Sequence, residues 1–250
     1  MVGRLPQIEP KRLYRQIAGL IRTHIDQGEF AIGSYLPPER ELAQQLGVSR
    51  ASVREALIAL EVEGRVSIRV GAGVQVLNPA SAGGALAGGS ATKAAAGNGG
   101  SAAELPEIGP LELLEARRLV ESETAALAAR NATEADIAAL EAALARMLDE
   151  HAKGIPRHEG DRDFHYALAR ASGNGALLFM VATLWEQRYT PVFEKFEEHF
   201  STTELYRDAE DFHQRILDAV RRRDATAARN AMKAHLDTVK KAFSRSLSGR

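Results

Sequence analysis

The 250-residue chain has no cysteine, which excludes disulfides and cysteine-based zinc sites. It also lacks long apolar runs. None approaches the roughly 18 residues that would read as a membrane span. Arg4, Glu9, Lys11 and Arg12 interrupt the N-terminus before a secretory core can develop. The expectation is a soluble, cytoplasmic protein with no membrane partner. The net charge is only −1, so the chain is no nucleic-acid polycation. Residues 1–78 hold ten Lys/Arg against eight Asp/Glu, and any affinity for a polyanion must come from a local patch.

The length allows two domains, and composition suggests where they part. Residues 78–109 are mostly Ala, Gly and Ser, with almost no large apolar side chain. Such a stretch cannot bury a core and is expected to be a flexible linker between a domain at 1–77 and another at 110–250. In the first, Glu39 to Leu46 places Leu42, Ala43 and Leu46 on one helical face. Gly47-Val48-Ser49 then breaks the helix, with glycine suited to the stop and Ser49 to the next N-cap. From Arg50, apolar residues recur at Val53, Ala56, Leu57 and Leu60, again at helical spacing. Val66–Arg69 and Val74–Val76 alternate as strands around Gly71-Ala72-Gly73.

Helix, turn, helix and hairpin in this order predict a winged helix-turn-helix, whose second helix enters the DNA major groove by its N-terminal end. That end carries Ser49, Arg50, Ser52 and Arg54, donors suited to phosphates and guanine edges. Many helix-glycine-helix corners bind nothing, so the corner alone is a modest signal. The ordered set LPPER, GVSR, VREAL, EVEG and RVGAG is far more specific, and it resembles the winged-helix domain of the GntR family of bacterial transcription regulators over Lys11 to Leu77. The resemblance implies that Arg40, Arg50 and Arg54 contact DNA and that Gly71 lets the wing approach the minor groove.

From Pro110 onward the periodicity is helical, with helices expected near 110–131, 133–152, 157–172, 175–199, 204–222 and 225–247. Start signals stand at Thr133, Asn174 and Asp224, and Pro191 can kink or divide the fourth helix. The fold class is therefore mainly α: a winged helix followed by an antiparallel bundle of six or seven helices. Four residues in the bundle are out of place. Asp161 and His165 share a helix face with Phe164 and Leu168 nearby. His213 and His235 lie in apolar stripes, each ten or eleven residues from the turn at Arg223-Asp224, so an antiparallel hairpin sets them at one height. Each could be a core histidine satisfied by a hydrogen bond. Together they would form a nitrogen/oxygen site for a divalent ion, zinc first, with nickel or manganese as alternatives. Arg117 faces the interior with Leu113 and Val120; it pairs with Glu121, its i+4 neighbour, or forks a ligand carboxylate. Trp185, Gln187 and Arg188 are further pocket candidates.

The segments EARRLVE, GDRDFH, ASGN, DFHQRIL and AMKAHL resemble the FCD effector-binding domain of the FadR-type subgroup. That resemblance implies a metal held by Asp161, His165, His213 and His235, and a ligand carboxylate at Arg117. His24, His151, His158 and His199 fall outside the pattern and read as ordinary polar or surface residues. Within the family, KRLYRQIA, GPLELLEARRLVES and LWEQR are most similar to regulators of hexuronate utilisation. The expected function is a ligand-responsive regulator, a repressor sensing a sugar acid such as a hexuronate, with lactate-type hydroxy acids as the runner-up. Expected partners are palindromic operator DNA, a small carboxylate and a second copy of the chain, since one short recognition helix reads few base pairs. A metalloenzyme is the rival reading, but the chain has no HExxH and a single Glu-x-x-His at Glu210–His213. A DNA-bound architectural protein with an inert bundle is the third.

Overall fold

The computed structural model describes residues 13–78, 108–154, 159–245 and 247. Most of the stretch expected to be a linker lies outside the described residues. The chain divides into two compact units, Met1–Glu107 with Ser246–Arg250, and Ile108–Arg245.

The first unit holds α1 (Leu13–Asp26), α2 (Glu39–Leu46), α3 (Arg50–Val62), β1 (Val66–Arg69) and β2 (Gly73–Val76). Helix α1 buries Tyr14, Ile17, Ala18, Ile21 and Ile25, a three-to-four spacing that turns one stripe inward, and it packs on α3. Gly47 ends α2 in the left-handed region at φ 64°, where a side chain would strain the backbone. Ser49 Oγ accepts the Ser52 N–H at 3.0 Å and so caps α3. The strands pair antiparallel with Val66 opposite Val76 and Arg69 opposite Gly73. Val66, Ile68, Val74 and Val76 are buried, so the alternation read from the sequence seats the wing on the core. This is a winged helix-turn-helix.

The second unit holds α4 (Pro110–Asn131), α5 (Glu134–Ala152), α6 (Glu159–Ala171), α7 (Gly175–Glu186), α8 (Pro191–Phe200), α9 (Thr203–Arg221) and α10 (Ala225–Phe243). Among the described residues it contains no strand. The single helix expected over 175–199 is two. A 3-10 turn at Gln187–Tyr189 closes the first, and Pro191 opens the second at a position where its missing N–H is harmless. Thr133 and Asp136 form a reciprocal capping box at α5. Asn174 and Asp224 cap α7 and α10 by accepting the N–H groups of Ala176 and Ala227. Helix α10 runs antiparallel along α4, with ion pairs Lys240–Glu115, Arg118–Asp237 and Arg229–Glu123 stepping down the contact. Helix α5 packs on α6, and α9 on α10. No described helix is long and apolar enough to cross a membrane.

Candidate metal centre and DNA-reading surface

The bundle brings Asp161, His165, His213 and His235 together, with one ligand-type atom from each lying within 4.8 Å of the others. Asp161 and His165 come from α6, His213 from α9 and His235 from α10. The imidazoles of His213 and His235 are 4.7 Å apart at their centroids, as equal distances from the α9–α10 turn require. All three histidines are buried.

The ring nitrogens that face outward have partners. His213 Nδ1 lies 2.6 Å from the Ala209 carbonyl oxygen, an acceptor only, so this nitrogen carries the proton. His165 Nδ1 sits in a short contact with Glu121 Oε2 and donates likewise. In the neutral rings both Nε2 atoms then bear lone pairs. Those two atoms lie 3.2 Å apart, and Asp161 Oδ1 is 3.1 Å from His213 Nε2 and 3.4 Å from His165 Nε2. Asp161 Oδ1 is buried without a hydrogen-bond partner. With both rings neutral, three buried acceptors face one another with no donor among them, and either a cation between them or a proton on His165 relieves this: burial lowers the His165 pKa, but Glu121 and Asp161 outweigh it and raise it. His235 supplies a fourth: burial above all holds its pKa well below the ordinary value, so it stays neutral. Burial would raise the pKa of Asp161, but contacts with His165 and His213 and the charge of Arg188 hold it well below the ordinary carboxylate value. One carboxylate and three imidazoles suit a borderline divalent ion.

Two guanidiniums flank this cluster. Arg188 Nη1 donates to Asp161 Oδ2 at 2.9 Å and its Nη2 to Glu197. Arg117 Nε and Nη2 donate to Glu121 at 2.6 and 3.4 Å. Of the two sequence alternatives for Arg117, the ion pair with Glu121 is thus present, and Arg117 also lines the cavity beside the cluster. Burial would raise the pKa of Glu121, but Arg117 and His165 outweigh it and lower it to about 2. Trp185 lies 4.3 Å from the Arg117 guanidinium and 4.2 Å from that of Arg188. It supports both cations through its ring faces, while Arg117 and Arg188 themselves line the cavity. Gln187 lies in the 3-10 turn that follows α7.

The cavity holds roughly 530 Å³ of empty space, its open mouth included, and reaches from Asp161, His235, Arg117 and Arg188 to His151, Glu197, Ser201 and Tyr206. His151 is therefore more than a surface residue. Its side chain is 10% exposed and its Nδ1 pairs with Glu210 at 2.7 Å. Sequence reasoning missed it because α5 carries no other polar residue on that face to mark a pocket. Glu121 was visible only as a partner for Arg117; its contact with His165 crosses from α4 to α6.

In the winged helix, Arg40, Ser49 and Arg50 are exposed and Ser52 is half-buried at the start of α3. Gly71 holds φ 85° at the exposed wing tip, where an added Cβ would meet nothing and its N–H donates to the Leu247 carbonyl at 2.8 Å. Arg54 departs from expectation. Its side chain is 3% exposed, and its Nε and Nη2 fork Glu39 at 3.1 Å each. One turn beyond Arg50, the α3 face turns toward α2, so Arg54 fastens the two helices instead of presenting its charge at the surface.

Comparison with known proteins agrees with both halves. Residues 13–76 match the gntR family of bacterial regulatory proteins, and residues 112–238 match the FCD domain. The chain is 38% identical over 236 residues to the Exu regulon transcriptional regulator of Escherichia coli K12, covering 93% of this chain and 84% of that protein. It is 35% identical over 231 residues to the Uxu operon regulator of Haemophilus influenzae, covering 92% and 81%. A putative L-lactate dehydrogenase operon regulatory protein of E. coli K12 is 31% identical over 242 residues, covering 92% and 86%. The chain belongs to the GntR family, with an FCD domain as its second half, and is a ligand-responsive transcription regulator, not an enzyme.

Proposed function

We propose that this regulator is a cytoplasmic, homodimeric repressor that holds one divalent ion, zinc in the first instance, and is released from its operator by a hexuronate. The observation that carries the reading is the union of a four-ligand cluster, two guanidiniums and a mostly apolar cavity that carries a few polar side chains, all in one place. Charge supports it. Glu121, Asp161 and Glu197 against Arg117 and Arg188 leave the buried group one negative charge. A divalent ion would turn this to one positive charge, and a single ligand carboxylate would cancel it. Asp161, His165, His213 and His235 would hold the ion, which would supply a Lewis-acidic anchor for that carboxylate. Arg117 and Arg188 would orient it. The hydroxyls of a sugar acid need polar partners, which His151, Glu197, Ser201 and Tyr206 offer. The names of the Exu and Uxu relatives point the same way. A lactate-type acid is the second reading, favoured by the 31% identical relatives named for an L-lactate dehydrogenase operon; it has one hydroxyl to satisfy. Glucuronate, galacturonate and fructuronate titrated into the protein–operator complex are expected to lower its fluorescence anisotropy, and lactate to leave it unchanged. Release by lactate alone would reverse the assignment.

DNA contact is assigned to Arg40, Ser49, Arg50, Ser52 and the wing tip at Gly71. Arg50 is half-exposed and opens α3, the end that enters the groove. Arg50→Ala is expected to weaken operator binding by about 1–3 kcal/mol if it reads a base edge. A loss shared with random duplex and shrinking with salt would make it a phosphate contact. Unchanged affinity for both would remove α3 from the interface.

The partner copy is assigned to α7 and the adjoining face of α4. Helix α7 is apolar along its length yet buries only Val181 and Trp185. Phe179 is 72% exposed, Met180 44% and Leu119 68%, an apolar surface of the kind that marks association. Phe179→Glu is expected to convert a sedimenting dimer to the 27.1 kDa chain; an unaltered dimer would place the interface elsewhere.

A further inference from the structure

Glu121 touches both grips on the proposed ligand and belongs to neither. From α4, its side chain is 2% exposed. Oε1 accepts from Arg117 Nε at 2.6 Å, while Oε2 accepts from His165 Nδ1 and, at 3.4 Å, from Arg117 Nη2. One buried carboxylate therefore divides its charge between the arginine that meets the cavity and a histidine of the metal set.

We infer that Glu121 is a positioning residue that fixes His165 with Nε2 toward the cation, and that its sharing with Arg117 couples metal binding to ligand binding. The inference rests on the metal-site reading above. An imidazole can carry its proton on either nitrogen. With the proton on Nδ1, held by Glu121, Nε2 presents a lone pair to the ion. With the proton on Nε2, it would point at Asp161 Oδ1, 3.4 Å away, and close the site with a hydrogen bond in place of a metal. The outer acceptor selects between these states and raises the donor strength of the ring. Arg117 opposes it, because each N–H it gives Glu121 draws charge away from the His165 contact. A carboxylate that engages Arg117 releases Glu121 to His165 and strengthens the hold on the ion. By linkage the ion strengthens the hold on the carboxylate by the same factor.

The two partners of Glu121 give the test opposite signs. Zinc alone is titrated into the full-length protein against a chromophoric chelator, with no effector present. Glu121→Gln keeps the shape and a hydrogen-bonding oxygen but loses the charge; it is expected to lower zinc affinity about 10- to 100-fold, and to lower the metal-free melting temperature too, since the buried Arg117 loses its counter-ion. Arg117→Met is expected to raise zinc affinity. A merely structural pair would lower it in both variants, and that outcome overturns the proposal. In the metal-free wild type, nitrogen-15 NMR should find the His165 proton on Nδ1; finding it on Nε2 overturns the proposal whatever the variants do. Wild-type and Glu121→Gln proteins that bind zinc equally would overturn this inference alone. A wild type that takes up no zinc would overturn it together with the metal reading.

Discussion

His213→Ala is expected to empty the metal site and abolish the sugar-acid response, while operator binding survives. His213 is the completely buried member of the set, and its tautomer is fixed by the Ala209 carbonyl, so it offers the ion a ready lone pair. Removing it leaves His165 Nε2 and Asp161 Oδ1 facing each other without the atom that closes the cluster. Second-sphere losses alone reduce metal affinity about 10- to 100-fold, and loss of a ligand should exceed that. The truncation also opens a void against Phe164, whose ring packs edge-on against His213 at 4.7 Å. His213→Gln, which fills more of the space, separates lost ligation from lost packing. Metal analysis of each purified variant beside ligand titration checks the effect. Stoichiometric metal in both variants would remove His213 from the site. Operator affinity should hold, because the winged helix has a core of its own built from Ile17, Val53, Leu57, Leu60 and Val74.

Gly160→Ala is expected to be the most destabilising single-methyl change in the effector unit. An added Cβ would lie 2.4 Å from Met147 N and 2.6 Å from Met147 Cα, both backbone atoms of α5. Backbone cannot swing aside as a side-chain tip does, so α5 and α6 must separate. Overpacking of a tight site costs about 1–3 kcal/mol and occasionally more, and this contact belongs at the upper end. The Gly160 N–H also donates to Glu150 Oε2 at 2.9 Å, which the separation would stretch. Because Asp161 is the next residue and His165 lies one turn on, the same shift should weaken metal binding. Urea denaturation of wild type and variant gives the first effect, and chelator competition the second. A variant as stable as wild type would mean that the two helices do not approach so closely.

Much of the metal cluster was legible in the sequence because it depends on periodicity. Four residues separate Asp161 from His165, and equal distances from the Arg223-Asp224 turn align His213 with His235. The helix starts at Thr133, Asn174 and Asp224 were equally legible, since an N-cap is a local hydrogen bond between near neighbours. Pro191 likewise marked a break that the structure makes complete. What escaped was decided by which helices pack together. Spacing showed that Arg117 turns inward and named Glu121 as a possible partner, but not that Glu121 also meets His165 on α6. Arg50 and Arg54 look equivalent in sequence. Only the packing of α3 on α2 buries Arg54 against Glu39 and leaves Arg50 outside. The Gly160 contact has no sequence signature at all, because a glycine inside a helical pattern looks the same whether it faces water or another backbone.

Metal and sugar acid are proposed to bind at one buried site. The direct test is a thermal-shift titration of the purified protein with glucuronate, galacturonate, fructuronate and lactate, before and after chelator treatment. A ligand that binds the folded state raises the melting temperature, and the rise grows with the logarithm of ligand concentration above Kd. A concentration-dependent rise is expected with at least one hexuronate and little with lactate; it should disappear after chelation and return when zinc is restored. A hexuronate shift that persists undiminished in metal-free protein would contradict it, leaving Arg117, Arg188 and the few polar side chains of the cavity as the entire site.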